Sequence, residues 1–257
     1  MSENKIVYET LEYAEEEKGI GILSLNRPQK YNAVNFKMLE ELENFWGLQN
    51  NNLDTHVIIL KGNGEKGFCG GLDLSSLAEA SATISTDEFY RLQARMSRLM
   101  LSMRLAPQPI VCAVHGTASG LGFSFALASD VRVISTDARF AASYINVGYG
   151  GADMACSYLL PRLIGAGRAY EYMLTGSFMN SEESLNLGLV SRIVERGMLL
   201  DTALGIARAM NTKNPMGLRL TKEAINMNLD ASGMEQALSI EDRNQTLLFA
   251  RSMAVPR

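Results

Sequence analysis

The sequence predicts an α/β core followed by a helical C-terminal region, on three observations. Short apolar runs recur through the first half, at residues 21–25, 57–60, 110–114 and 131–134, the second and third nearly continuous. Segments with apolar residues at steps of three and four lie between them. From about Ser157 onward the strand-like runs stop and helical spacing takes over. Short apolar runs bounded by turns read as strands, the 3–4 spacing as amphipathic helices, and strands followed by helices as this architecture.

The run Gly21-Ile22-Leu23-Ser24-Leu25 comes first. Asn35 then stands as an N-cap before residues 36–49, where Leu39, Leu42, Phe45 and Trp46 share a face. Val57-Ile58-Ile59-Leu60 has the unbroken apolar character of a strand covered on both sides. Residues 86–105 carry Phe89, Leu92, Met96, Leu99 and Met103 in alternating steps, the pattern of a packed helix face rather than of a ligand-binding one. Ile110-Val111-Cys112-Ala113-Val114 is the next covered strand, and Val131-Arg132-Val133-Ile134 the last. The stretch 105–129 holds no charge, but Pro107, Pro109, Gly116, Gly120 and Gly122 argue against a lipid-facing helix. Strand, turn and buried helix is the better reading. Residues 215–227, opened by Pro215, and 233–249 read as helices. Residues 1–200 are therefore expected as one core domain, and 201–257 as a helical region.

With 257 residues, 24 Lys+Arg and 28 Asp+Glu, the formal net charge is -4. A chain of this length buries roughly 70–75% of its unfolded surface and needs no disulfide or metal to fold. Mild acidity gives no electrostatic footprint for nucleic acid or an anionic membrane. Cys69, Cys112 and Cys156 are far apart and form no C-x-x-C pair, and His56 and His115 are the sole histidines. Neither a disulfide framework nor a metal site is indicated. The first five residues lack a secretory pattern, so a reducing compartment, the cytoplasm, is expected.

Two glycine-bearing turns offer chemistry. Phe68-Cys69-Gly70-Gly71-Leu72-Asp73-Leu74 follows the second strand, and His115-Gly116-Thr117-Ala118-Ser119-Gly120-Leu121-Gly122 the third. Adjacent glycines let backbone approach a ligand closely, and a turn opening a helix aims free N–H groups at it. Two such turns converging would supply a pair of backbone donors to a developing oxyanion. Residues 62–67 lack the lysine placement of a phosphate loop, Gly120-Leu121-Gly122 lacks the third glycine of a dinucleotide fingerprint, and no G-x-S-x-G surrounds Ser119 or Ser124.

Taken in order, Leu25-Asn26-Arg27-Pro28, Asn32-Ala33, the two turns, Pro161-Arg162-Leu163-Ile164-Gly165, Leu174-Thr175-Gly176 and Gly188-Leu189-Val190 resemble the crotonase (enoyl-CoA hydratase/isomerase) superfamily. The resemblance runs from about residue 8 to about residue 245. It implies a spiral of ββα units, a helical C-terminal region for trimer contacts, a homotrimer or hexamer, and an acyl-CoA thioester as substrate. No cofactor is implied beyond the coenzyme A of that substrate. The oxyanion donors would be the main-chain N–H groups of Leu72 and Leu121. Lys30, with Gly70, Asp73 and Leu74 of the first turn, would lie against the CoA moiety. Beyond residue 249 the expected cover for CoA is missing, supplied by a neighbouring subunit, or replaced by Arg251 and Arg257.

The departures from the family pattern matter as much. The two positions that carry catalytic glutamates in the hydratases are Ser124 and Tyr144 here, so a two-glutamate hydration is not expected. One carboxylate remains in the right stretch. Gly148-Tyr149-Gly150-Gly151-Ala152-Asp153 resembles the segment in which dienoyl-CoA isomerases and 4-chlorobenzoyl-CoA dehalogenases carry a catalytic aspartate. With one extra loop residue, Asp153 to Tyr158 falls into register with the dehalogenase pattern, and Tyr144 takes the place of an aromatic against the acyl group. Asp153 also suits a helix N-cap before residues 155–164, and the two roles are compatible. Ser124 and Asn146 are candidates for orienting water or substrate, and His115 for touching the acyl pocket. The implied reaction is double-bond isomerisation of an enoyl- or dienoyl-CoA with Asp153 as acid/base. Hydration, hydrolysis or substitution through Asp153, and acyl-CoA binding without catalysis are the alternatives.

Overall fold

The apolar runs of the first half form the middle of a six-stranded sheet. The computed structural model describes residues 7–81 and 84–254. The chain enters through β1 (Leu11–Glu17) and β2 (Ile20–Leu25), crosses by α1 (Phe36–Gln49) to β3 (Val57–Gly62), and continues into α2 (Leu74–Ser81) and α3 (Thr86–Leu105). β4 (Ile110–Val114), β5 (Thr117–Ser119), α4 (Leu121–Ala128), β6 (Val131–Ser135) and β7 (Arg139–Ala141) follow. α5 (Cys156–Ile164), α6 (Ala166–Thr175), β8 (Met179–Asn180), α7 (Ser181–Asn186) and β9 (Arg192–Val194) lead to the last helices. These are α8 (Leu199–Asn211), α9 (Pro215–Asn228) and α10 (Met234–Ala254).

The large sheet has the order β1-β2-β3-β4-β6-β9, antiparallel at β1–β2 and parallel elsewhere. A second sheet, β5-β7-β8, pairs β5 with β7 in parallel. Each of the consecutive pairs β4–β5 and β6–β7 gives its first strand to the large sheet and its second to the small one. That repeated step is the spiral the resemblance implies. It also sets the start of α4 directly behind β5.

Both faces of the large sheet are covered. Ile58, Leu60, Ile110, Cys112 and Val114 pack with α1, α3 and α4, while Val57, Ile59, Val111, Ala113 and Val133 pack against Ala203, Leu204 and Ala207 of α8. Alternate residues thus face opposite cores, which is why β3 and β4 are nearly continuous in apolar residues rather than alternating. Every residue of α4 is buried. The uncharged stretch 105–129 is therefore core, and among the described residues no helix is long and apolar enough to cross a membrane.

Two sequence expectations are revised. Strands continue past Ser157 as β8 and β9, each too short to show a period. The boundary expected at residue 200 falls near the start of α8, whose Leu199, Ala203, Leu204 and Ala207 are buried. Asp153 is not the N-cap of α5: that place is held by Ala155, with no side-chain capping bond. Asn35 does cap α1, accepting from Met38 N–H at 2.9 Å. Lys222 fastens α9 to the core, donating to the carbonyls of Met103 (3.1 Å) and Gln108 (2.9 Å) and pairing with Asp130 at 2.9 Å. Arg257 lies outside the described residues, and Arg251 sits exposed on α10 beside the sulfur of Met216.

Candidate active site

The first glycine turn is laced on both sides. On one, Cys69 N–H donates to Thr117 C=O (3.1 Å) and Cys69 C=O accepts from Ser119 N–H (3.0 Å), tying the turn to β5. On the other, Gly70 N–H donates to Tyr31 C=O (2.8 Å), Gly71 C=O accepts from Val34 N–H (2.8 Å), and Asp73 N–H donates to Val34 C=O (2.9 Å). The Leu72 N–H lies between these last two bonds and, being trans to Gly71 C=O, points away from Val34. Among the described residues it has no acceptor.

Asn32, fully buried with φ +52°, holds the flanking loop: it accepts from Arg27 N–H (2.9 Å) and donates to the carbonyls of Asn63 (2.9 Å) and Gly67 (3.1 Å). Arg27 reaches Asp73 at 2.9 Å. The Arg27-Pro28 and Asn32-Ala33 motifs thus act as scaffolding for the turn.

The second turn meets the first at Gly71. A Cβ on Gly71 would stand 2.9 Å from Ser119 O and 3.6 Å from Leu121 N, and φ there is +103°, so only glycine lets the turns touch. Leu121 opens α4 behind Gly120, and its N–H also has no acceptor among the described residues. The Gly120 C=O accepts from Ser124 N–H (3.0 Å) and from the Tyr144 hydroxyl (2.8 Å). Ser124 Oγ lies 2.5 Å from Tyr144 Oη.

Leu72 and Leu121 line one cavity of about 480 Å³. Gly70, Leu74, Leu77, Phe89, Gln93, Met96, Ser119, Ser143, Tyr144, Val147, Tyr149, Asp153 and Met154 complete most of its wall. Size and apolar lining suit a small-molecule site. Asp153 is the sole carboxylate among the lining residues. One of its oxygens, Oδ1, accepts from Gln93 Nε2 (2.5 Å) and Met154 N–H (2.8 Å), while Oδ2 has no partner among the described residues. Met154 and Ala155 follow it with φ +45° and +62°, two left-handed residues that turn the chain sharply into α5. Such a corner costs of order 1–3 kcal/mol per residue and gathers at functional sites. Half-burial pushes the Asp153 carboxyl above the usual carboxylate range, against the opposing effect of the Met154 and Gln93 hydrogen bonds.

Other candidates sit elsewhere. Ser124 is fully buried behind Tyr144 and does not line the cavity, so it orients no water there. Asp73 is engaged with Arg27 and with Ser75, whose N–H and hydroxyl it accepts at the start of α2, so its carboxylate is not presented to a ligand. Lys30 is exposed in the turn before Tyr31, outside the cavity wall. Asn146 donates to Gly176 C=O, and His115 borders a separate small cleft with Lys61 and Arg196. Burial pushes the thiols of Cys69, Cys112 and Cys156 up to about 12, which makes them poor nucleophiles. Among the described residues no group of three or more His, Cys, Asp or Glu is placed to hold a metal. Gln93 was not singled out from the sequence; the available signal was a polar residue on the apolar stripe of α3, between Phe89 and Met96. Phe89 itself stacks on Tyr149, with ring centroids 6.2 Å apart.

Residues 15–254 match the family model for enoyl-CoA hydratase/isomerase. The chain is 36% identical over 235 residues to the probable enoyl-CoA hydratase EchA12 of Mycobacterium tuberculosis, covering 90% of this chain and 81% of that one. It is 30% identical over 231 residues to 1,2-epoxyphenylacetyl-CoA isomerase of Escherichia coli, covering 90% and 87%. The solved structure of an enoyl-CoA hydratase from Bacillus anthracis superposes with a TM-score of 0.87 at 29% identity, covering 93% of this chain and 90% of that one. Fold, ordered motifs and family match agree: the chain belongs to the enoyl-CoA hydratase/isomerase family of the crotonase superfamily.

Proposed function

We propose that this protein isomerises the double bond of an enoyl- or dienoyl-CoA by moving a proton beside the thioester. The observation that carries the reading is one cavity lined by two amides that have no acceptor among the described residues and by a single carboxylate with one oxygen unpartnered among them. Asp153 Oδ2 takes a proton from the γ-carbon of a 2-enoyl or the α-carbon of a 3-enoyl thioester, and the C–H electron pair moves onto the thioester oxygen, through the double bond in the first case and directly in the second. The Leu72 and Leu121 N–H groups hold that oxygen as the dienolate. The same carboxyl then returns the proton at the other carbon, so no atom is gained or lost. Fixed donors of this kind contribute roughly 3–4 kcal/mol each to the barrier reduction. A carboxyl raised toward neutrality is the better proton carrier at pH 7.

The acyl group is apolar, by the Leu74, Leu77, Phe89, Met96 and Val147 walls. The reading needs no cofactor apart from the coenzyme A that arrives with the substrate. The cytoplasm fits three buried free thiols, and a homotrimer or hexamer fits the family.

Hydration is the second reading, favoured by the name of the M. tuberculosis relative. It would have to run on Asp153 alone, since Ser124 and Tyr144 supply no carboxylate. Mass spectrometry of a panel of enoyl-CoA thioesters incubated with the protein in deuterated water separates these. Deuterium at the α- or γ-carbon with a shifted double bond is the expected outcome. Net water addition would replace isomerisation by hydration, and binding without either change would make the protein an acyl-CoA carrier.

A further inference from the structure

We infer that Tyr144, backed by Ser124, is a positioning residue that aims the Leu121 amide at the substrate oxygen. The inference rests on the amide-pair reading above.

The Tyr144 hydroxyl has one proton, and the Gly120 carbonyl 2.8 Å away can only accept. That fixes the direction of the neighbouring 2.5 Å contact: Ser124 Oγ donates to Tyr144 Oη. A short chain results, running from Ser124 through Tyr144 to Gly120 C=O. Tyr144 is 7% exposed and Ser124 fully buried, so little water competes for these bonds. The proton is committed to a carbonyl, and burial moves the phenol pKa still further from neutrality. Tyr144 is therefore no acid/base group, although its side chain borders the cavity.

The carbonyl it holds belongs to the same peptide unit as the Leu121 N–H. In a trans peptide the two point in opposite directions within one plane, so any rotation of the carbonyl turns the donor by an equal angle. The first helical bond, from Ser124 N–H at 3.0 Å, restrains that carbonyl along the axis of α4. The phenol adds a second restraint from the short 3-10 turn at residues 143–147, on a different part of the chain. Gly120 itself sits at φ +51°, ψ -120°, where glycine leaves both torsions soft, and ψ sets the tilt of this peptide, so an outside anchor has something to fix. Hydrogen-bond strength falls steeply off-line, and an oxyanion donor acts only if aimed beforehand. The two positions where the family pattern has water-activating glutamates thus serve here to align one donor.

The test is isotope-edited infrared spectroscopy of trans-cinnamoyl-CoA labelled with carbon-13 at the thioester carbonyl, bound to wild type, Tyr144→Phe, Ser124→Ala and Asp153→Asn. Polarisation by the amide pair lowers the carbonyl stretching frequency without any turnover. Tyr144→Phe keeps the ring and is expected to lose at least half of the wild-type downshift, with kcat about tenfold or more lower and KM little changed, a fraction of the ~10²–10³ for losing a whole donor. Ser124→Ala is expected to lose less, in the same direction, and decides the matter if Tyr144→Phe does not fold. Asp153→Asn is expected to keep the full downshift. A full wild-type downshift in folded Tyr144→Phe, or in Ser124→Ala where that variant decides, overturns the inference and leaves the amide pair intact. Bound probe with no downshift in the wild type removes the amide-pair reading, and this inference with it.

Discussion

Asp153 is held through one oxygen and, among the described residues, left open at the other, an arrangement suited to moving a proton rather than to bracing a loop. Its folded-state pKa is raised, chiefly by burial. Between the ordinary aspartate value and that raised one, the folded protein binds more protons than the unfolded chain. Its contribution to stability is therefore present at low pH and lost as pH rises through the folded value. Asparagine keeps an oxygen for Gln93 and the Met154 N–H but carries no charge. Asp153→Asn is thus expected to match or exceed wild-type stability at pH 7 and to lose that advantage in acid, as read by urea midpoints across pH. A residue whose neutral replacement firms the fold while abolishing turnover is there for chemistry. A wild-type proton-exchange rate that climbs with pH through a value above ordinary aspartate is the matching kinetic sign, since the base is the ionised form.

The two glycine turns are useful because neighbouring elements immobilise them, and Asp73 joins two of those elements. It starts α2 and binds Arg27 across the loop. Burial raises this carboxyl, but the Ser75 and Arg27 hydrogen bonds outweigh it and hold it below the usual range. Its stabilisation is present above the unfolded pKa and lost as pH falls through the folded one. Asp73→Ala leaves a mostly buried Arg27 unpaired and uncaps the helix. It is expected to cost about 3 kcal/mol at pH 7, by urea unfolding, with the gap to wild type closing in acid. The same element-level view explains what the sequence disclosed. β3 and β4 were legible because cover on both faces made them nearly continuous in apolar residues, and β2 and β6 because their apolar residues dominate runs broken by Ser24 and Arg132. β1 reads Leu-Glu-Tyr-Ala-Glu-Glu-Glu, an edge strand with acidic residues toward solvent, and β5, β7, β8 and β9 are two or three residues long. Leu72, Leu121 and Asp153 were reached through family motifs. Gln93 and the Tyr144–Gly120 bond were not, because each joins residues more than twenty positions apart and leaves no local pattern.

The C-terminal helices carry apolar residues that are exposed on the single chain. α10 packs mainly on α9, and Leu238, Leu247, Phe249 and Met253 on it remain exposed, with Ile225 on α9 and Leu229 just after it. Apolar surface on this scale is characteristic of an interface. Copies of this chain are its proposed cover, in the homotrimer the family implies. Phe249→Asp is expected to shift sedimentation velocity from trimer to monomer while the circular dichroism of the core is retained; an unchanged trimer would place the contacts elsewhere. Assembly and chemistry are separable, because the proposed proton carrier and both amides come from one chain. The most direct measurement is deuterium uptake at the α- and γ-carbons of an enoyl-CoA substrate by wild type and by Asp153→Asn, followed by mass spectrometry in deuterated water. Rapid uptake by wild type and a loss of ~10²–10⁴ in the variant is the expected result. Uptake in the variant within about threefold of wild type, far short of what a general base contributes, would show that another group carries the proton.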